Sequence, residues 1–218
     1  SSTETHAIVT ATQAGKGQLA AMAAPPSVPW QNDVIAQVHE SAINNTAEKA
    51  IAGLTLTDER IAELVNELTG SVPDSLKINE GDQPWSISFD WKQPVTVEFD
   101  DQKMKLSVRG RRFTSGERVL NKVMEISGVY IMQVVPEKGV VLTRQGDVEV
   151  TFPGTKEGSR LRASDRIFKT LMEEKFSQLF QPVIEGEGFT LPGRFSQLGT
   201  IRLNQLSTKD GWLSLGWK

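Results

Sequence analysis

SDRIFKTLMEEKFSQLF, residues Ser164 to Phe180, carries apolar side chains at Ile167, Phe168, Leu171, Met172, Phe176, Leu179 and Phe180. That i, i+1, i+4, i+5 spacing is a wide stripe on a 3.6-residue helix, so one side of the helix must be buried. Ser164 is expected to cap its start, with Asp165 in the first turn, and Pro182 cannot continue the hydrogen-bond ladder. Covering three phenylalanines, two leucines, an isoleucine and a methionine at about 25 cal/mol per Å2 is worth roughly 10 kcal/mol. The helix therefore calls for a sheet to cover it.

Upstream of the helix the period is 2. Trp85, Ile87, Phe89 and Trp91 alternate with Ser86, Ser88 and Asp90, which predicts a strand with one aromatic face. Val95, Val97 and Phe99 alternate next; a tight turn at Asp100-Asp101 leads to Met104, Leu106 and Val108. Val123 to Val135 is a longer strand in which Gly128 predicts a bulge or bend. Pro136 to Gly139 turns it into Val140 to Arg144, and a turn at Gly146-Asp147 leads to Val148, Val150 and Phe152. This is an antiparallel meander of about six strands. Beyond the helix, QPVIEGEGFTLPG (181–193) is too rich in Gly and Pro for a helix, with Phe189 and Leu191 as core contacts. The strands of 199–206 and of Trp212 to Trp217, joined by Lys209-Asp210-Gly211, read as a hairpin that gains stability by returning to that sheet.

The first half is less regular. Residues 1–32 lack helical periodicity and end in PPSVPWQND, which reads as an extended Pro/Ala-rich arm or linker, with a short strand at His6 to Ala11. Gly15-Lys16-Gly17 lacks the spacing of a phosphate loop and reads as a turn. DVIAQVH (33–39) predicts a strand. Ser41 then caps a helix to Ile51 with Ile43, Ala47, Ala50 and Ile51 on its inner side, stopped by Gly53. After a turn at Leu54-Thr55-Leu56, Thr57 caps a second helix whose stripe is Ile61, Leu64, Val65 and Leu68, ended by Gly70. A polar connection, 72–83, joins this pair to the meander. The organisation is thus an arm, 1–32, and a single α+β domain, 33–218, with a helical corner at 41–69 and the sheet plus main helix at 84–217. The fold class is a curled antiparallel meander wrapped on one long amphipathic helix, with a small N-terminal helical pair.

With 218 residues and 38% hydrophobic side chains the chain has the composition of an ordinary globular protein. Its 24 basic and 27 acidic residues leave a charge of -3, which gives no whole-molecule attraction to nucleic acid or anionic membrane. The absence of cysteine excludes disulfides, thiolate metal sites and a cysteine nucleophile. No run of 18 apolar residues could span a bilayer as a helix. The chain opens at Ser1 without a methionine or a charged-then-apolar leader, which suggests a processed or excised piece from which any signal or upstream domain has been removed. His39-Glu40 begins like a zinc-binding helix, but position 43 is Ile where a second histidine is needed, so no metal is expected. With two histidines and no nucleophile elbow, no enzyme is expected either. Asp90, Glu98, Asp100 and Asp101 lie close together and read as solvated surface. Trp85, Phe89 and Trp91 read as core before ligand platform. Arg109, Arg111, Arg112 and Arg118 surround the third strand and its loop, and Lys156, Arg160, Arg162 and Arg166 precede the helix. Two readings of these stand: an anion-attracting rim, or ordinary surface ion pairs.

The order of elements, a strand with HESAINN leading into a helix, a long meander, an amphipathic helix and a final hairpin DGWLSLGW, resembles a module of the tubular lipid-binding superfamily over about Asp33 to Trp217. That group includes bactericidal/permeability-increasing protein and small bacterial lipoproteins of similar shape. The extra helix at 58–68, the lack of a disulfide and the proline-rich arm depart from it. The resemblance implies a non-catalytic, exported bacterial module, periplasmic or in the cell envelope, that binds lipid or another apolar molecule without a cofactor. Phe168, Leu171, Met172, Phe176 and Phe180 would then line the groove. The basic segments add a separate expectation: if Arg109, Arg111, Arg112, Arg160 and Arg162 flank its open end, they hold an anionic headgroup. The alternative is a structural or interaction domain of a larger cell-envelope protein with a solid core and no ligand.

Overall fold

The computed structural model describes residues 17–28, 32–69, 72, 77, 81, 83–136, 138–155, 160–185 and 202–218. The expected strand at His6 to Ala11, the contacts of Phe189 and Leu191, Ile201, Lys156 and most of the 72–83 connection lie outside the described residues, as do the side chains of Val65 and Leu68. Among the described residues the fold is mostly antiparallel sheet with three helices, and the sheet is not closed. In chain order the elements are β1 (Val34–His39), α1 (Glu40–Ile51), β2 (Thr55–Thr57), α2 (Asp58–Thr69), β3 (Trp85–Phe89), β4 (Val95–Asp100), β5 (Lys103–Ser115) and β6 (Arg118–Leu120). β7 (Met124–Val135), β8 (Gly139–Thr151), α3 (Ala163–Leu179), β9 (Val183–Glu185), β10 (Leu203–Lys209) and β11 (Trp212–Trp217) follow.

An eight-stranded sheet runs β2-β3-β5-β7-β8-β9, with β4 and β6 also paired to β5. Register decides its two faces. Val97 lies opposite Leu106, Val108 opposite Ile126, Ile126 opposite Val150 and Met132 opposite Leu142, so one face collects the apolar side chains. α3 covers part of that face through Phe168, Met172, Phe176 and Phe180, which join Trp85, Ile87, Phe113, Met124, Ile126 and Tyr130 in the main core. A smaller cluster of Val97, Phe99 and Met132 packs against Ile43, Leu206 and Leu213 of α1 and the last hairpin. The opposite face carries Thr96, Glu98, Lys105, Ser107, Arg109 and Glu125, by the alternation of side chains along a strand.

Several expectations are corrected. The C-terminal hairpin does not extend the main sheet; β11 pairs with β1, giving a separate sheet β1-β11-β10. Pairing begins at Val34 opposite Trp217, and no local pattern announces a partner so far along the chain. β8 is one strand where two and a turn were expected, because Gly146, at φ +75°, sits in a bulge that β8 absorbs without breaking. That bulge lies opposite Gly128, as the glycine in β7 suggested. GRRFTSGER is not a loop but the second half of β5 turning into β6. Thr55 to Thr57 is an edge strand on β3 and not a turn. The β4–β5 turn is centred on Asp101 and Gln102, both at positive φ, one residue later than expected, since Asp100 still pairs with Lys103. The β10–β11 turn has Asp210 and Gly211 at positive φ, the primed geometry whose twist matches the strands.

Helix starts differ from expectation too. α1 is capped by His39, whose Nδ1 accepts from the Ser41 N–H at 3.1 Å, and not by Ser41. Its buried side chains are Ser41, Asn44 and Asn45, while Ala50 is exposed. Thr57 does cap α2, its Oγ1 accepting from the Arg60 N–H at 3.3 Å. α3 starts one residue before Ser164, with no side-chain cap; Asp165, buried in its first turn, is paired instead with Lys122 at 2.8 Å.

Candidate functional site

The apolar stripe of α3 meets the sheet as closed packing. Phe168, Met172, Phe176 and Phe180 are 3%, 0%, 4% and 7% exposed, Leu171 is half-buried against the same core, and Ile167, expected in the stripe, is exposed on its margin. The Phe176 ring lies edge-on to Trp85 at 6.3 Å and to Phe180 at 5.5 Å. Phe180 reaches the sheet because position 128 is glycine: a Cβ there would fall 2.9 Å from its ring. Arg144 of β8 fixes the end of the helix, donating from Nη1 to the carbonyls of Ser177 and Phe180. A guanidinium on the last carbonyls satisfies acceptors the helix leaves open and opposes its negative end.

The five candidate headgroup arginines fall into separate settings. Arg109 lies on the face of the sheet away from α3, with Nε 2.9 Å from Asp90 Oδ2, an ion pair in which Nε–H has no hydrogen-bond alignment. Arg111 sits over the ring of Trp91, 5.0 Å from its centroid. Trp91 was expected in the core and is 62% exposed, because β3 ends at Phe89 after a register shift, so the alternation does not reach it. Its indole rests on Gly53, where a Cβ would meet the ring at 2.0 Å. Arg112 is exposed opposite Ser88, and Arg160 and Arg162 are exposed just before α3. Of the carboxylates, Asp90 serves Arg109, Asp100 and Asp101 belong to the β4–β5 hairpin, and Glu98 faces a cleft.

That cleft, about 320 Å3, lies between α1 and the polar face of the sheet, lined by Glu40, Asn44, Thr96, Glu98, Arg109 and Glu125 among others. Beside it α1 closes the free edge of β4. Glu40 Oε2 accepts from the Phe99 N–H at 2.9 Å, Asn44 accepts from the Val97 N–H at 2.7 Å and donates to its carbonyl at 3.0 Å, and Glu48 accepts from the Gln93 N–H at 2.8 Å. Sequence reasoning missed these three. The available signal was their spacing, i, i+4 and i+8, which puts three acceptors in one row of a helix.

Among the described residues, no group of three or more His, Asp or Glu side chains is placed to hold a metal ion, and no helix is long and apolar enough to cross a membrane. No protein-family model, curated protein or solved structure matches this chain. What fold and site define is therefore an architectural class, an α+β protein with an open antiparallel sheet, one face of it covered in part by a helix and the other polar.

Proposed function

We propose that this chain is a non-catalytic interaction domain in which the apolar face of α3 is permanent core. In this reading the meander curls over α3, α1 and α2 form a small helical corner beside it, and the likeness to the tubular lipid-binding superfamily is that of a relative whose groove is filled. The observation that carries it is the closure around Phe168, Met172, Phe176 and Phe180, none more than 7% exposed. An acyl chain seated there would have to part those rings from the sheet, whereas apolar ligands occupy concave pockets of about 300 Å3 or more. The charged groups with defined partners support a non-catalytic reading: Glu40 and Glu48 hold backbone amides, Asp90 faces Arg109 and Asp165 faces Lys122.

Native mass spectrometry of protein purified without detergent tests this. The expected result is the mass of the bare polypeptide. Retained mass equal to an acyl lipid would instead favour an exported carrier, with the α3 stripe as its lining and Arg160 and Arg162 as candidates for its headgroup.

A further inference from the structure

We propose that the surface shared by α1, β1 and β11 is a docking groove for a proline-containing peptide held by its main chain, with residues 19–28, bent at Met22 and Ala23, as the resident occupant. This segment, LAAMAAPPSV, makes four hydrogen bonds to three side chains of the domain, each through its backbone. Asn45 Oδ1 accepts from the Leu19 N–H at 3.1 Å, and Asn45 Nδ2 donates to the Leu19 carbonyl at 2.8 Å. Trp212 Nε1 donates to the Ala23 carbonyl at 3.0 Å. Gln37 Nε2 donates to the Pro26 carbonyl at 2.8 Å and lies 3.0 Å from Ser214 Oγ.

The groove side chains are held in place. Asn45 is 7% exposed and Ser214 1%, and the indole of Trp212 is braced edge-on by His39 at 5.1 Å. The occupant's side chains are by contrast largely unread: Leu19 is 40% exposed and Met22 97%, and Val28 is the buried exception. Pro25 and Pro26 fix φ near -65° and bias Ala24 toward an extended conformation, so little chain entropy is lost on docking. Indole and amide N–H groups aimed at carbonyls suit a proline-bearing segment, because proline lacks an N–H but keeps its carbonyl acceptor. A side-chain amide that pairs with both N–H and C=O of one residue adds a main-chain clamp indifferent to sequence. The tether gives the resident segment an effective concentration on the order of millimolar, so the groove is self-blocked in the intact chain.

This deepens the interaction-domain reading and rests on it for the kind of partner; the two fail separately, since a native mass reads the core and a peptide titration reads the groove. The probe is a fluorescent peptide of residues 17–28, titrated by anisotropy against the full chain. Wild type is expected to bind weakly, because its own segment competes. Leu19→Pro removes the N–H that Asn45 accepts, freeing that end of the occupant without touching core, and should tighten binding of the added peptide at least tenfold. Adding Trp212→Phe, which keeps a ring against His39 but loses the N–H, should reverse that gain. Circular dichroism confirms that each variant is folded. A folded Leu19→Pro chain that binds no better than wild type, or binding indifferent to Trp212→Phe, overturns the proposal.

Discussion

Tyr130, the only tyrosine in the chain, is 0% exposed, and its hydroxyl has no hydrogen-bond partner among the described residues. A buried hydroxyl without a partner costs about 1 to 3 kcal/mol. Tyr130→Phe keeps the ring and removes the orphan, so it should raise stability by about 1 kcal/mol in chemical denaturation. Burial also pushes the phenol above its ordinary value near 10, against a smaller opposing pull from the Arg144 charge. The folded state holds its proton longer than the unfolded state, so stability is intact below pH about 10 and is lost as pH climbs through the folded value. Tyr130→Phe should flatten that alkaline decline, and phenolate absorbance of the wild type, which reports this one residue, should rise late. At this scale the sequence spoke clearly wherever a side chain follows the period of its element. Phe168, Met172 and Phe176 fall where a 3.6-residue repeat puts them, and Trp85, Ile87 and Phe89 where a repeat of 2 does. It failed where the period breaks, at Trp91 beyond the end of β3, and at His39, whose capping role depends on the local backbone and on ring orientation.

Among elements, the relation between α1 and β4 matters most for keeping the sheet discrete. A strand edge offers unpaired N–H and C=O groups on which another chain can pair, and covering it with a helix is one way to blunt it. Here α1 covers the edge with side chains acting as a surrogate strand. Asn44, 6% exposed, matches both backbone groups of Val97. Asn44→Ala would strand one buried donor and one buried acceptor and should cost about 2 to 4 kcal/mol. Denaturant titration should show a lower midpoint at unchanged slope, and hydrogen exchange should show faster exchange of the Val97 amide than of its neighbours in β5. The helix was legible in outline, but its working row was not. Its contacts cross 53 positions in sequence, and polar residues on an inner face look like a weak amphipathic helix until the strand edge they serve is in view.

Across the whole molecule, the run from β3 to β8 was readable because its main strands pair with ones nearby in sequence; the small sheet was not, because β1 must wait for β11. Pairing at so long a separation carries a loop-closure cost before any contact repays it, so this sheet is expected to form after the transition state for folding. Leu213→Ala, on the hairpin side of the second cluster, should therefore lose about 2 kcal/mol, with unfolding accelerated roughly thirtyfold and folding slowed less than twofold. Chevron analysis separates the two, and a folding rate that falls with stability would put β1 and β11 in the nucleus instead. The same pairing has a mechanical side. Asp33 donates to the Trp217 carbonyl, and Lys218 exchanges two backbone bonds with Arg202, so Asp33 and Lys218 lie together at one end of the small sheet. Tension between these points pulls β1 and β11 apart from that end, straining their hydrogen bonds one after another instead of all at once. The large sheet and α3 stay slack until the small sheet has unzipped, which makes the β1–β11 seam the compliant link of the fold.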